Sequence, residues 1–525
     1  MSAPEQTPDG SRLEDHLAGL DAGGLLRRVR QEVSIHEIGA IVAECPQAVL
    51  FESVRGYDLQ VGANLLATRA CWATVLGVAP GDVREEVTRR LGRRIAPVVV
   101  PTSGLHDVVL TGDSVDVTAL PAYLQHEEDG GPYISAALDV SNSPSTGQVN
   151  LGVRRLMLRS RDETGVDIVA PSDLRAYYTQ ARDRGQRFEV AFVVGGHPMD
   201  YLASQLKVGA VDDWELAGGL RGSAVPLVRC RSIGLLVPAD ADLVLEGHLT
   251  GDWSEVEGPY GEYHGCLGPP HRNPVFKVTA VTHRQGGVFQ SMTIGNPALG
   301  HTDTAMIAAM KSELMVWAAL ERSVAVPLDV YCPPSAGGRH HVRLRIRHRD
   351  PGDPRNALLA ALSCQADLKM ATVVDEDIDI RDDGAVEWAM STRYQADRDT
   401  LVLEGLRTLP LEPSLDRQRP GGVVTSKLGL DATRRRDVDL GSFAATRTLD
   451  PAALKPATLQ AEPVGDAPVD RLEETLASPR SFAEIVSLLD GVHQRDLLAA
   501  LGSLRAARAL HVDGTGRYSV RQPPP

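Results

Sequence analysis

Glu257-Gly258-Pro259-Tyr260-Gly261-Glu262-Tyr263 sets two carboxylates five positions apart across a Gly-Pro-x-Gly turn. Such a turn can converge the two side chains on one spot. Crowded carboxylates raise each other's affinity for a proton, which makes a donor and an acceptor available near neutrality. Acidic side chains are more often exposed, so a solvated turn is the competing reading. Around this turn the pattern is that of a β structure. Val108–Leu110, Val115–Val117, Ile134–Val140, Leu156–Leu158, Phe188–Val194, Leu227–Cys230, Leu243–Leu249 and Phe276–Val281 read as short strands separated by Gly, Pro, Asp and Asn turns. Many short strands predict a barrel or sandwich. Helices over Leu174–Arg184 and Pro198–Ser204 interrupt it. Thr304–Glu321 reads as a long helix, apolar at Met306, Ile307, Met310, Leu314, Met315 and Ala318.

The flanks differ. Toward the N-terminus, Asp15–Glu32 has roughly helical apolar spacing weakened by glycines, Val33–Ile35 and Val49–Val54 read as strands, and Val83–Leu91 as an amphipathic helix. Beyond Ala325, strands over Val342–Ile346, Met370–Val374 and Val386–Ala389 alternate with a helix over Asn356–Cys364, which argues α/β layering. The pattern changes predict an α/β domain over 15–110, a barrel over 111–325 and a second α/β domain over 326–450. A linker over 451–469 follows, broken by Pro451, Pro456, Pro463 and Pro468. Residues 470–520 read as three helices and a hairpin turning at Asp513-Gly514-Thr515-Gly516, a winged-helix pattern.

Composition narrows the function. With 525 residues, 43% hydrophobic and 23% charged, the chain is ordinary globular material. A net charge of −15 argues against a general nucleic-acid binder, which needs basic patches to release counterions. The six cysteines are scattered without a CxxC pair, so reduced thiols rather than a zinc knuckle are expected. No apolar run reaches about 18 residues and Met1–Arg12 lacks a signal-peptide pattern, so the expectation is a cytoplasmic protein with no membrane span.

Three further stretches carry candidate chemistry. Val149-Asn150-Leu151-Gly152-Val153-Arg154-Arg155 offers an amide dipole and permanent cations for a phosphate, a carboxylate or a metal-bound anion. Leu368 to Ile380 reads as a buried strand entering an acidic turn. Asp375, Asp377 and Asp379 alternate there as in a calcium loop, but the glycine and distal glutamate of that loop are missing. His340-His341 is followed by arginines at 343, 345, 347 and 349, every second position, so a solvated basic strand is favoured over a metal site. His264 reads as a structural histidine more readily than as one tuning the Glu262 site, and Met306, Met310 and Met315 as helix core.

Together these stretches resemble the UbiD family of reversible, non-oxidative decarboxylases that use prenylated FMN. The resemblance covers roughly residues 15 to 415. It rests on Asn150-x-Gly152-x-x-Arg155, on Trp214-Glu215-Leu216-Ala217-Gly218-Gly219-Leu220-Arg221-Gly222, on Glu257–Glu262, on Val373–Ile380 and on Glu387-Trp388-Ala389-Met390-Ser391-Thr392-Arg393, in the family's order. It implies a multidomain α/β fold whose central split β-barrel carries the flavin, with the second α/β domain used in oligomerisation as a dimer or hexamer. It implies that Arg155, Glu257 and Glu262 form the Glu-Arg-Glu triad, with Glu262 at the proton donor's position. Asn150, Arg155, Ser204 and Lys369 fall at cofactor-binding positions, and His301 and Thr302 at the substrate pocket. Asn150 and Asp213 fall at positions of ligands for Mn²⁺ or Mg²⁺, with K⁺ nearby. The family's third ligand is a histidine, and none occurs between Arg155 and His197; Asp173 stands in that region.

The resemblance implies a small unsaturated, aromatic or heteroaromatic carboxylic acid as substrate and a flavin prenyltransferase as cofactor supplier. Two alternatives stand beside it: a UbiD-like enzyme with altered metal or cofactor use running other chemistry, and a non-catalytic scaffold acting through its tail. The tail is not a DNA reader by charge. Between Asp466 and Arg521 stand seven arginines, no lysine and eight acidic residues, whereas a groove-reading helix needs a basic face. The chain is therefore expected to leave duplex DNA unshifted in a gel at physiological salt. A shift lost on truncation at Asp466 would overturn that expectation.

Overall fold

The structure, a computed structural model, describes residues 12–206, 212–251, 253–295, 302–324, 326–415, 423–435, 468–489, 492 and 494–520. The chain divides into two compact units, residues 1–434 and 435–525. The first is built on a closed barrel. Strands Phe188–Val194, Tyr133–Asn142, Val149–Ser160, Glu163–Val166, Val275–His283 and Leu243–Leu249 pair antiparallel in that order. Leu243–Leu249 closes the ring by pairing with both Val275–His283 and Phe188–Val194. Tyr133–Asn142 is buried at every position but its last, because both faces of the wall are packed.

Parity along that strand is reset by a bulge between Ile134 and Ala137. Ala136, Leu138 and Val140 pack in one apolar cluster, Ile134 and Ala137 in another. Without the extra residue, Ile134 would share a face with Ala136. Closure needs a second irregularity at Glu246/Gly247. A Cβ at Gly247 would lie 2.0 Å from the Lys277 carbonyl oxygen, so only glycine lets the strands approach there.

The N-terminal sheet orders Leu26–Val29, Ala48–Phe51 and Gln60–Ala63, then takes Val288–Ser291 from beyond the barrel, parallel to Gln60–Ala63. The helix expected over Asp15–Glu32 runs Leu13–Ala22. Gly23 and Gly24 end it, and Leu26–Val29 is a strand. Val33–Ile35 contributes one bridge, Val33 to Val54. Val115–Val117, read as a strand, lies at the short 3-10 turns Gly112–Ser114 and Val117–Ala119.

The five-stranded C-terminal sheet runs Pro327–Tyr331, His341–Ile346, Met370–Val374, Val424–Asp431, Thr400–Arg407. Val386–Ala389, expected as a strand, lies inside the helix Asp383–Arg393, started by the Asp382 carboxylate accepting from Gly384 and Ala385 N–H. Four residues, three of them apolar, carry no period, and the cap decided. The second unit, described by itself, holds helices Pro468–Thr475, Phe482–Leu488 and Gln494–Ala506, then a hairpin pairing Leu510–Val512 with Tyr518–Val520. Leu472, Leu476, Ile485, Leu497, Leu501 and Leu504 form its core. Most of the expected linker lies outside the described residues. Among the described residues no helix is long and apolar enough to cross a membrane.

Candidate active site

Arg155 stands on the Val149–Ser160 strand, opposite the bulge in its neighbour. Glu257 ends the strand Glu255–Glu257, and Glu262 follows Tyr260–Gly261. Gly258 between them has φ +95, open to glycine and strained for other residues. The turn delivers both carboxylates to one guanidinium. Arg155 Nε and Nη2 donate to Glu257 Oε1 and Oε2 at 3.0 and 3.1 Å, a two-pronged charge-assisted contact. Arg155 Nη1 donates to Glu262 Oε1. Glu257 is 0% and Glu262 4% exposed, so the turn is not solvated. The Tyr260 ring lies 4.7 Å from the guanidinium carbon and packs on Tyr133, ring centroids 4.3 Å apart. Burial pushes the Glu262 carboxyl above its ordinary range against the pull of Arg155. Arg155 stays charged, its carboxylate neighbours outweighing burial. A fourth group, Asp167, reaches Arg155 Nη2 at 3.2 Å.

His126 and Asp129 fasten this turn, and sequence reasoning missed both. Asp129 Oδ1 accepts from Gly261 N–H at 2.9 Å, and Gly130 N–H donates to the Pro259 carbonyl at 2.8 Å. His126 Nδ1 lies 3.3 Å from Asp129 Oδ2, and Nε2 lies 2.8 Å from the Gly295 carbonyl. Both ring nitrogens face acceptors, and only an imidazolium donates from both. Burial opposes that charge, but Asp129 and the Gly295 carbonyl outweigh it and the pKa is raised. A His-Glu-Glu-Asp-Gly-Gly run ahead of a strand was the available clue.

Asp213 reaches the strand that carries Asn150. Asp213 Oδ2 accepts from the backbone N–H of Leu151 at 2.8 Å. Asn150 Nδ2 donates to buried Asp139 at 2.8 Å, which assigns the amide its orientation and turns Oδ1 away from that carboxylate. Asp139 also binds Arg154 Nε at 2.9 Å. Asp173 opens the helix Asp173–Asp183, which packs on the same strand as Asn150. Ser141, the register partner of Asn150, and Trp214, next to Asp213, each bury a donor, Oγ and Nε1, with no hydrogen-bond partner among the described residues. Orphaned donors beside oxygen ligands fit a phosphate held by a hard divalent cation. Among the described residues no group of three His, Cys, Asp or Glu forms a metal cluster, so such a cation would depend on the Asn150 amide oxygen.

The remaining candidate residues have other partners. Ser204 Oγ donates to the Tyr201 carbonyl. Lys369 Nζ pairs with Glu412 at 3.0 Å. Neither makes a hydrogen bond or ion pair with Arg155, Glu257 or Glu262. Thr302, 1% exposed, caps the helix Asp303–Ser323, and His301 lies outside the described residues. His264 Nε2 bonds the Leu411 carbonyl, the structural role expected. The basic strand is not simply solvated: Arg343 pairs with Asp383 at 2.7 Å and Arg347 with Glu376. His340 stacks on Tyr263. Asp375 and Asp377 bind Arg393 at 3.2 and 2.7 Å.

Comparison with known proteins agrees along most of the chain. The N-terminal, Rift-related and C-terminal domains described for 3-octaprenyl-4-hydroxybenzoate carboxy-lyase match residues 17–91, 99–297 and 305–432. Anhydromevalonate phosphate decarboxylase of Methanosarcina mazei is 31% identical over 80% of this chain and 95% of its own. The UbiD-class enzyme HmfF of Pelotomaculum thermopropionicum, solved with FMN, superimposes with a TM-score of 0.78 at 30% identity, covering 85% of this chain and 100% of that one. An evolved dimeric form of HmfF, solved with prenylated FMN, gives 0.75 at 29% identity over 85% and 99%.

The His126 link carries a pH signature. A histidine whose folded pKa is raised contributes stability that is fully present below its ordinary pKa of 6.5 and lost as pH rises through the folded value. His126→Gln is expected to be less stable by about 1.5–3 kcal/mol at low pH, the worth of hydrogen bonds to charged groups. The gap should close as pH rises. Thermal melting of both proteins from about pH 5 to about pH 9 checks this; a constant gap would contradict it.

Proposed function

The chain belongs to the UbiD family of carboxy-lyases, and from that premise we propose that this decarboxylase uses prenylated FMN to remove CO₂ from a small unsaturated, aromatic or heteroaromatic acid. The observation that carries the reading is the buried guanidinium of Arg155, which grips Glu257 through two N–H groups and Glu262 through one. Loss of CO₂ from an sp² carbon leaves an electron pair that needs a sink, and prenylated FMN supplies that sink when bound. Arg155 orients the substrate carboxylate. Glu257 holds Arg155 in register from below. Glu262, whose carboxyl burial raises, delivers a proton to the carbon that loses CO₂. In the reverse direction the same carboxylate takes the proton away. Water is excluded by the Tyr260 and Tyr133 rings, which also keep the local dielectric low.

Asn150, Arg155, Ser204 and Lys369 would hold the flavin. Asn150, Asp213 and Asp173 would hold Mg²⁺ or Mn²⁺, with K⁺ nearby. Asp173 in place of a neutral imidazole gives an oxygen-only set, which weakens selectivity for the softer Mn²⁺. By the resemblance, His301 and Thr302 stand at substrate-pocket positions. The M. mazei relative's name makes anhydromevalonate phosphate the first acid to assay, ahead of other unsaturated, aromatic or heteroaromatic acids. The protein works in the cytoplasm as a homo-oligomer, assembled through residues 326–450, and takes its cofactor from a flavin prenyltransferase. A second reading, altered metal use, is favoured by Asp173 alone. The scaffold reading is disfavoured, because a scaffold gains nothing from three buried ionic groups.

Glu262→Gln keeps the shape and removes the proton, so turnover should fall about 10²- to 10⁴-fold. Arg155→Ala should do at least as much harm. Decarboxylation by Glu262→Gln at the unmutated rate would refute the assignment. For the metal, elemental analysis of protein co-expressed with a flavin prenyltransferase should find a divalent ion that chelator removes readily. One tightly held Mn²⁺ per chain would count against the Asp173 argument.

A further inference from the structure

Arg155 is surrounded by more negative charge than it neutralises. Glu257 takes two of its N–H groups, Glu262 one, and Asp167 Oδ2 lies 3.2 Å from Nη2. Asp167 follows the barrel strand Glu163–Val166, and its other oxygen accepts from Val169 N–H at 3.0 Å. Its own loop therefore fixes its orientation, and Arg155 does not have to recruit it. Its side chain is 19% exposed, against 0% for Glu257 and 5% for Glu262. Three carboxylates thus share one guanidinium in a site shielded from water. Such a cluster sheds charge by keeping a proton on the member that gains least from ionising. Glu257 gains two charge-assisted bonds, and Asp167 gains a backbone bond and solvent. Glu262, buried with a single arginine bond, gains least.

We propose that Asp167 is a positioning residue for the proton of this site: by taking part of Arg155's charge, it leaves Glu262 as the protonated member of the three carboxylates. This rests on the reading of Glu262 as proton donor. Arg155 and Asp167 face Glu262 from the barrel, Glu257 and Tyr260 from its own turn, and Tyr263 follows it in the chain. The His126 imidazolium lies against Gly261, the residue before Glu262; apart from it and Arg155, every one of these groups is neutral or negative. Burial, then Asp167 and Glu257, raise the Glu262 carboxyl, opposed by Arg155.

The test needs no substrate. Full-length chain carrying ¹³C-labelled glutamate carboxyls is titrated by infrared spectroscopy, and the protonated-carboxyl band missing from Glu262→Gln is assigned to Glu262. In Asp167→Asn the midpoint of that band should fall by about one to two pH units, the effect of one charge a few ångströms away in protein of intermediate dielectric. Asp167→Glu should restore it. Asp167→Ser serves if the asparagine variant fails to fold, with the same fall expected. A midpoint unchanged in Asp167→Asn or Asp167→Ser overturns the proposal. Full decarboxylation by Glu262→Gln would sink the donor reading instead, so the two failures are told apart.

Discussion

The grip of Arg155 on Glu257 and Glu262 is the interaction on which the site depends. A guanidinium withdrawn from water needs carboxylates at close range, and carboxylates withdrawn from water need it in return. The partners lie 102 and 107 positions apart in sequence, so the contact exists only once the barrel has closed. Removing one partner of such a buried pair costs about 3–5 kcal/mol, a large share of a typical domain's stability. Arg155 and its two carboxylates are therefore part of what holds the turn to the barrel wall.

Closure rests on backbone irregularities that a simple strand alternation does not contain. The bulge at Ile134/Ala137 lies across from Arg155 and resets which face each residue of its strand takes. Gly247 lets two strands pass within a distance that any side chain would block. Bulges bend strands and re-aim side chains, which is why they gather at barrel rims and beside active sites. Here one bulge sits opposite the catalytic candidate, and the glycine completes the ring that carries it.

The turn is held from a second side by the loop of His126 and Asp129, which receives the Gly261 N–H and reaches the Gly295 carbonyl. Gly295 precedes the segment leading to Thr302, whose hydroxyl caps the long helix, and to Asp303 behind it. Burial pushes the Asp303 carboxyl up to about 6 even though it accepts backbone N–H groups from Thr293 and Leu66. Asp303 thus ties the entry of the helix Asp303–Ser323 to Thr293, two residues before Gly295, and to Leu66, three residues beyond the strand Gln60–Ala63. Geometry at Glu262 is consequently set by residues from three parts of the chain.

The sequence by itself determined the local events and the family. Strands such as Phe188–Val194 and Leu243–Leu249 match their expected bounds residue for residue, since β-branched and aromatic runs between turn residues carry their own period. Arg155, Glu257 and Glu262 were legible because their motifs are contiguous. Tertiary structure decided what spacing cannot encode. Val386–Ala389 became helical through the Asp382 cap, and Val288–Ser291 left the barrel to join the N-terminal sheet. Asp167, Asp129 and His126 entered the site from loops with no pattern of their own. Their roles come from which charge lies within hydrogen-bonding reach in the folded chain, and no local period or propensity reports a distance between residues a hundred positions apart.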